Sequence, residues 1–252
     1  MNALSRLAAI TKGKANDPPR LLIYGTEGIG KSTLAASAPN PVFVPTEDGL
    51  GQIDCAKFPV AVTFEEFMGN LQGLLDEEHD FSSVVVDSAD WLERLIHDRT
   101  CKDSNVASIE LAAGGYGKGY TAAMNYWRDV LGLLDSLQKR GMAVILLAHA
   151  QVEKFDDPET QSYDRYSPRL HKKTSGPLVN EWCDAVLFAT RKFRVSKDGD
   201  GKNARAIAAP IGKGGGERVL RCVGGPSCVA KNRYGMPDEI PLSWASVAEF
   251  MV

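Results

Sequence analysis

The sequence predicts an α/β fold, with a mainly parallel central sheet, helices on both faces and a C-terminal antiparallel hairpin. Three observations carry this. Short apolar runs at residues 21–24, 42–44, 84–86, 143–148 and 183–190 are continuous rather than alternating, as strands buried on both faces are. Between them lie stretches of helical period, with Phe64, Phe67, Met68, Leu71, Leu74 and Leu75 on one face and Trp127, Val130, Leu131, Leu134 and Leu137 on another. Beyond the last run, residues 204–209 and 217–223 read as closing antiparallel strands, with a hairpin turn at residues 198–201. At 252 residues, 44% hydrophobic and 24% charged, the chain suffices for one sizeable core. A single domain over residues 20–252 therefore follows an arm at residues 1–19, amphipathic over 4–10 and ending at Pro18 and Pro19.

The first strand runs into Gly25, Thr26, Glu27, Gly28, Ile29, Gly30, Lys31, Ser32 and Thr33, which fits G-x-x-x-x-G-K-[ST] and opens a helix. Glycines let the backbone turn its N–H groups toward phosphate oxygens, and the helix N-terminus adds partial positive charge. Lys31 is placed to reach the β- and γ-phosphates, and Ser32 to offer a hydroxyl to Mg²⁺. The second strand ends at Thr46 and Glu47. The third, over residues 81–88, ends in Asp87, which reads either as a second Mg²⁺ contact through water or as the cap of the next helix, at 91–97. The fourth ends at His149, read as a γ-phosphate sensor or as a hydrogen-bonded structural residue. In parallel sheets ligands bind at the strands' carboxyl ends, so Gly25, Glu47, Asp87 and His149 are expected in one site.

The net charge of −3 argues against a generally basic nucleic-acid binder, but its distribution is uneven. Residues 1–90 carry −7, residues 91–150 carry +1 and residues 151–252 carry +3. From Arg165 to Lys197 eight basic side chains face only Glu181 and Asp184, which leaves room for a local polyanion site. Arg165, Arg169, Lys172 and Lys173 fall in residues 151–180, which show no long apolar period and read as a functional insertion or a solvated charged loop. Tyr116, Lys118 and Tyr120 lie in a glycine-rich stretch that suits base stacking or is a plain inter-helix connection. The five cysteines are scattered, without C-x-x-C spacing, and read as reduced and structural. Residues 196–201 lack most of a calcium loop. No apolar run approaches a membrane span and no signal peptide is seen, so a soluble intracellular protein without a membrane partner is expected.

Glu27 at the third position of the glycine loop, Thr46-Glu47, residues 84–88 and the strand ending at His149 resemble the RecA-like branch of P-loop ATPases. In that family the glutamate orients the attacking water, and the sensor is often Gln where this chain has His149. Lys231-Asn232-Arg233-Tyr234-Gly235 is similar to the K-x-R-x-G of DnaB-type hexameric helicases, where the Lys and Arg reach into a neighbour's site. That implies Arg233 as a finger acting in trans with Lys231 beside it; a basic surface turn is the simpler alternative. The glycine loop, Leu147-Ala148-His149, residues 163–173, residues 181–184 and residues 231–237 look like phage-encoded RecA-like ATPases of single-strand annealing and recombination. The resemblance implies ATP with Mg²⁺, a homo-oligomer (ring or filament), single-stranded DNA and a single-strand-binding protein as partners, and the cytoplasm of an infected bacterium. ATP over GTP also rests on it. A ring motor or helicase accessory, and a regulatory ATPase or kinase that never touches nucleic acid, remain as rival readings.

Overall fold

The structure, a computed structural model, describes residues 10, 12–13, 17–198, 205–211 and 216–251. Its elements are β1 (Arg20–Gly25), α1 (Lys31–Ala35), β2 (Pro41–Pro45), β3 (Ala56–Lys57), α2 (Phe64–Asp76), β4 (Ser83–Asp87), α3 (Ala89–Asp103), α4 (Lys118–Lys139), β5 (Ala143–Phe155), β6 (Tyr163–Pro168), α5 (Ser175–Trp182), β7 (Ala185–Arg191), β8 (Phe193–Asp198), β9 (Arg205–Pro210), β10 (Arg218–Arg221), β11 (Lys231–Asn232), β12 (Glu239–Pro241) and α6 (Trp244–Ala248). A 3₁₀ turn, Ala112–Gly114, precedes α4.

Among the described residues the main sheet has the order β12-β10-β7-β1-β5-β4-β2-β3, with β11 added on β7 and β6 on β5. The strands from β7 to β3 are parallel. Strand alternation sends Leu22, Tyr24, Val84, Val86, Val144 and Leu146 to a face covered by α2, α3, α4 and α5. Leu21, Ile23, Val85, Ile145 and Leu147 point to the other face, under α1 and α6. Both faces are dry, which is why these runs are apolar throughout rather than alternating. The helices owe their form to the same burial. In α2, Phe64, Phe67, Leu71 and Leu74 are buried, each worth about 1.5–3 kcal/mol. Thr63 caps its start by accepting from Glu66 N, and Glu66 in turn accepts from Val62 N at 2.9 Å.

The pairing register fixes the site. Gly25 lies beside His149, Pro45 beside Asp87, and Asp87 beside Leu147, so β1, β2 and β4 end at one edge, which β5 crosses at His149. Because β5 stands between β1 and β4, His149 is set between the glycine loop and Asp87. Gly25 must be glycine: a Cβ there would sit 2.4 Å from Ala189 O on the adjoining strand.

Several expectations are corrected. β5 continues past Ala148 to Phe155 and pairs antiparallel with β6, so residues 151–168 form a hairpin and not an irregular loop. Tyr24 Oη ties this hairpin down, donating to Tyr166 O and Val229 O. α4 starts at Lys118, well before the apolar face that begins at Trp127, and α3, expected at 91–97, runs from Ala89 to Asp103. The expected closing strands do not pair with each other. β9 pairs with β8 in a separate two-stranded sheet, whereas β10 joins the main sheet on β7. Most of the arm and the turn residues 199–201 lie outside the described residues. Among the described residues no helix is long and apolar enough to cross a membrane, and the five cysteines are free.

Candidate active site

The glycine loop folds as its composition requires. Gly28 and Gly30 take φ of 69° and 106°, in the left-handed region, and Gly30 is the N-cap of α1. This turn folds Lys31 back, so that its buried ammonium donates to Gly25 O and Thr26 O at 3.1 and 3.2 Å. Burial lowers the Lys31 pKa, opposed by Asp87, Asp90, Glu47 and Glu27 in that order. A cavity of about 370 Å³ opens at this edge, lined by Glu27, Gly28, Gly30, Lys31, Ser32, Thr33, Glu47, Asp87 and His149 among others. Glu47, Asp87 and His149, expected at separate strand ends, thus share one space with the glycine loop that follows Gly25.

Ser32 Oγ donates to Asp87 Oδ2 at 2.7 Å. Burial raises the Asp87 pKa, opposed by the Ser32 hydrogen bond and by Lys31 and His149. A hydroxyl and a carboxylate converging at the start of α1 form a hard-oxygen pair suited to Mg²⁺. The Asp87–Ser88 peptide is cis. Thr46 and Ser88 then clasp the ends of β2 and β4, Thr46 Oγ1 donating to Ser88 O and accepting from Ser88 N. From this clasp Ser88 Oγ donates to Glu47 Oε1 at 2.5 Å and sets the carboxylate over the cavity. Burial raises the Glu47 pKa against that bond, which makes it a better proton acceptor.

His149 is held by a residue that the sequence did not single out. Asp90, buried on α3, accepts from His149 N at 3.0 Å and from Nδ1 at 3.0 and 3.3 Å. The pair fixes the tautomer, leaving Nε2 as the other nitrogen. The Asp90 hydrogen bond raises the His149 pKa against the effect of burial. Burial pushes Asp90 upward, but its bonds to His149 outweigh that and hold it below the usual carboxylate range. Glu47 Oε1 stands 3.9 Å from His149 Nδ1. Arg218, on β10, is a second unexpected member: its Nη1 donates to Ile29 O at 3.2 Å, and it lines the same cavity. It reaches the loop only because β10 joins the sheet beyond β7.

Lys231 and Arg233 are not brought here. β11 pairs with Ala185 and Val186 at the start of β7, whereas the glycine loop follows Gly25, which aligns with Ala189. Four residues of strand put them about 13 Å away along the sheet. Lys231 Nζ donates to Asn180 O and Glu181 O at the end of α5, and Arg233 pairs with Asp184 at 2.9 Å. Of the nucleic-acid candidates, Arg169 lies at the rim of the glycine-loop cavity and none lines it. Tyr116 is fully exposed with φ of 55°, Lys118, Lys172 and Lys173 are exposed, and Arg169 lies 3.8 Å from Glu27. Tyr120 stacks on His171 at 4.1 Å, joining the two segments read separately in the sequence. Arg165 is tied to Glu153 at 2.8 Å and lies over the Phe155 ring.

A glycine loop at a helix start, an acid at the end of a buried strand and a mainly parallel sheet covered on both faces define a P-loop ATPase domain. Residues 17–234 match the family model described as AAA domain, and the chain belongs to that family. It is also 23% identical over 172 residues to the SPbeta prophage-derived uncharacterized protein YorG of Bacillus subtilis (strain 168), covering 67% of this chain. The chain spans about half the length of that curated relative, 49% of which is covered.

Proposed function

We propose that this chain is an ATP hydrolase of RecA-like type that binds single-stranded DNA, promotes annealing and recombination, and hydrolyses ATP where subunits meet. The observation that carries the hydrolase reading is the convergence of Lys31, Glu47, Asp87 and His149 on one cavity. In this reading the loop N–H groups and Lys31 take the phosphates, and Ser32 and Asp87 hold Mg²⁺, which when bound supplies positive charge to the phosphate oxygens. Glu47, aimed by Ser88, accepts the proton of the attacking water. His149, oriented by Asp90 and with its pKa raised by that bond, donates to the γ-phosphoryl group as its charge spreads; a donor of this kind is worth about 10²–10³ in rate. Next to the loop, Thr33, Leu34, Leu242 and Trp244 line a further cavity of about 460 Å³, whose apolar walls and indole suit the adenine base.

The subunit contact rests on Lys231 and Arg233, which lie too far from their own loop to serve it and are offered to a neighbour's instead. Single-stranded DNA is supported by the joining of residues 116–120 to residues 165–173 through Tyr120 and His171. The prophage relative supports a phage-associated origin; action in the bacterial cytoplasm beside a single-strand-binding protein is part of the proposal. Lys31→Ala is expected to lose ATP binding or turnover, and Glu47→Gln to bind ATP without hydrolysing it. Normal turnover by Glu47→Gln would remove Glu47 as the base. Hydrolysis measured with and without oligo(dT) at two salt concentrations tests the partner: stimulation is expected at low salt and lost at high salt. No stimulation and no binding at either concentration would overturn the DNA reading.

A further inference from the structure

Apart from the nucleotide site, a cavity of about 430 Å³ opens between the β5–β6 hairpin, α5 and residues 224–230. The hairpin's inward face builds one wall. Glu153 pairs with Arg165 across the strands, and Phe155 with Tyr163. Ser167 and Asn180 line the same space, and neither Ser167 Oγ nor Asn180 Oδ1 has a hydrogen-bond partner. Ser167 is only 5% exposed. Leaving a buried hydroxyl and a buried amide oxygen unpaired costs about 1–3 kcal/mol each, a cost that a ligand of matching polarity removes.

The charges in the wall say which ligand. Arg165 gives Nε and Nη2 to Glu153 and lies over the Phe155 ring at 4.0 Å, so its charge is neutralised in place. Lys172 is exposed. An anion placed inside would lose its hydration, and the Arg165 guanidinium, already paired with Glu153, would not replace it. A flat, neutral heterocycle with both donors and acceptors meets Phe155, Tyr163, Ser167 and Asn180 without that penalty. The volume falls within the usual range of small-ligand sites.

We propose that this cavity receives one unpaired base of a single-stranded DNA, Ser167 and Asn180 meeting its polar edge and Lys172 its phosphate. The inference rests on the single-strand binding proposed above. It also supplies a route to the ATP site, because residues 168–172 stand between the two. Pro168, Leu170 and Lys172 line the cavity, while Arg169 N donates to His149 O at 2.8 Å and Arg169 Nη2 lies 3.8 Å from Glu27. A base in the cavity thus steadies the segment that touches the γ-phosphate sensor and the glycine loop.

The test compares oligo(dT) with an abasic oligonucleotide of the same length and charge, at one salt concentration. The chain is expected to prefer the base-bearing strand by about tenfold. The double variant Ser167→Ala, Asn180→Leu should bring that ratio close to one; Lys231 contacts only the backbone carbonyl of Asn180, so its bond is kept. Thermal melting checks that the variant folds. If it does not, light-driven crosslinking of 4-thiothymine-bearing strands to the unaltered chain replaces it, with crosslinks expected within the residues that line the cavity, at 153–180 or 224–230. Equal affinity for the two strands, an unchanged ratio in the folded variant, or crosslinks only elsewhere would overturn the cavity while leaving single-strand binding in place. No binding of either strand would overturn both.

Discussion

Among single residues, Asp90 decides what kind of donor His149 is. An imidazole at this strand end with no partner would be mostly neutral at pH 7 and could offer one weakly polarised N–H. Asp90 removes that ambiguity by binding both the backbone N–H and Nδ1, so the ring is oriented and its pKa raised. If the imidazolium serves the γ-phosphoryl group, turnover falls as pH rises through the raised His149 pKa. It falls on the acid side as Glu47, itself raised by burial, is protonated. Asp90→Asn keeps the size and the hydrogen-bonding reach but loses the charge. The expected result is an alkaline limb of kcat moved to lower pH and a kcat at pH 7.5 reduced by about tenfold or more, with ATP binding changed little. An alkaline limb that stays where it is in Asp90→Asn would show that Asp90 only packs α3 against β5.

Between elements, the contact of α3 with the start of α5 carries its own pH signature. Glu93 on α3, buried beneath this junction, accepts from His171 N at 3.0 Å and from the Ser175 hydroxyl. Burial pushes its pKa up to about 7 from an ordinary value near 4.5. The folded chain then holds a proton that the unfolded chain has released, so this carboxyl favours the fold below pH 4.5 and loses that contribution as pH rises to about 7, at most about 3 kcal/mol. Glu93→Gln removes the titration. Its melting temperature relative to wild type is expected to climb steadily from pH 5 to pH 7.5; two parallel curves would mean that Glu93 is ionised throughout. This junction also shows where sequence reading stops. β1 and the glycine loop were legible because an apolar run meets residues whose backbone demands are local, and β4 because its apolar run ends in Asp87. β6 was not, since residues 163–168, Tyr-Asp-Arg-Tyr-Ser-Pro, put polar groups on both faces and exist as a strand only by pairing with β5. Arg218 was illegible for a similar reason: 189 positions separate it from Ile29, and only the placement of β10 beyond β7 joins them.

For the whole molecule, the geometry sets the loop and the Lys231–Arg233 element at opposite ends of the central strands, so in the proposed assembly each chain would complete a neighbour's site and not its own. A head-to-tail contact of this kind closes a ring or grows a filament, and either way joins the start of β7 of one copy to the glycine loop of the next. Arg233 in the single chain pairs with Asp184 and also reaches Glu181 O, so moving to a neighbour's γ-phosphate costs it those contacts. In the proposed assembly, ATP bound next door would offset that loss and so couple nucleotide to assembly. Two inactive variants decide the matter. Lys31→Ala has a dead loop and an intact finger; Arg233→Ala has an intact loop and no finger, and alone should lose about 10³-fold in turnover. Mixed one to one, random assembly places an intact finger against an intact loop at about a quarter of the contacts, so about a quarter of wild-type turnover should return. Recovery that grows with total protein concentration would tie it to assembly. A mixture no more active than its separate components would put the action of Arg233 within its own chain, where the structure shows it capping α5 and bound to Asp184, and would leave the hydrolytic site to Lys31, Glu47, Asp87 and His149, with Arg218 as its cation.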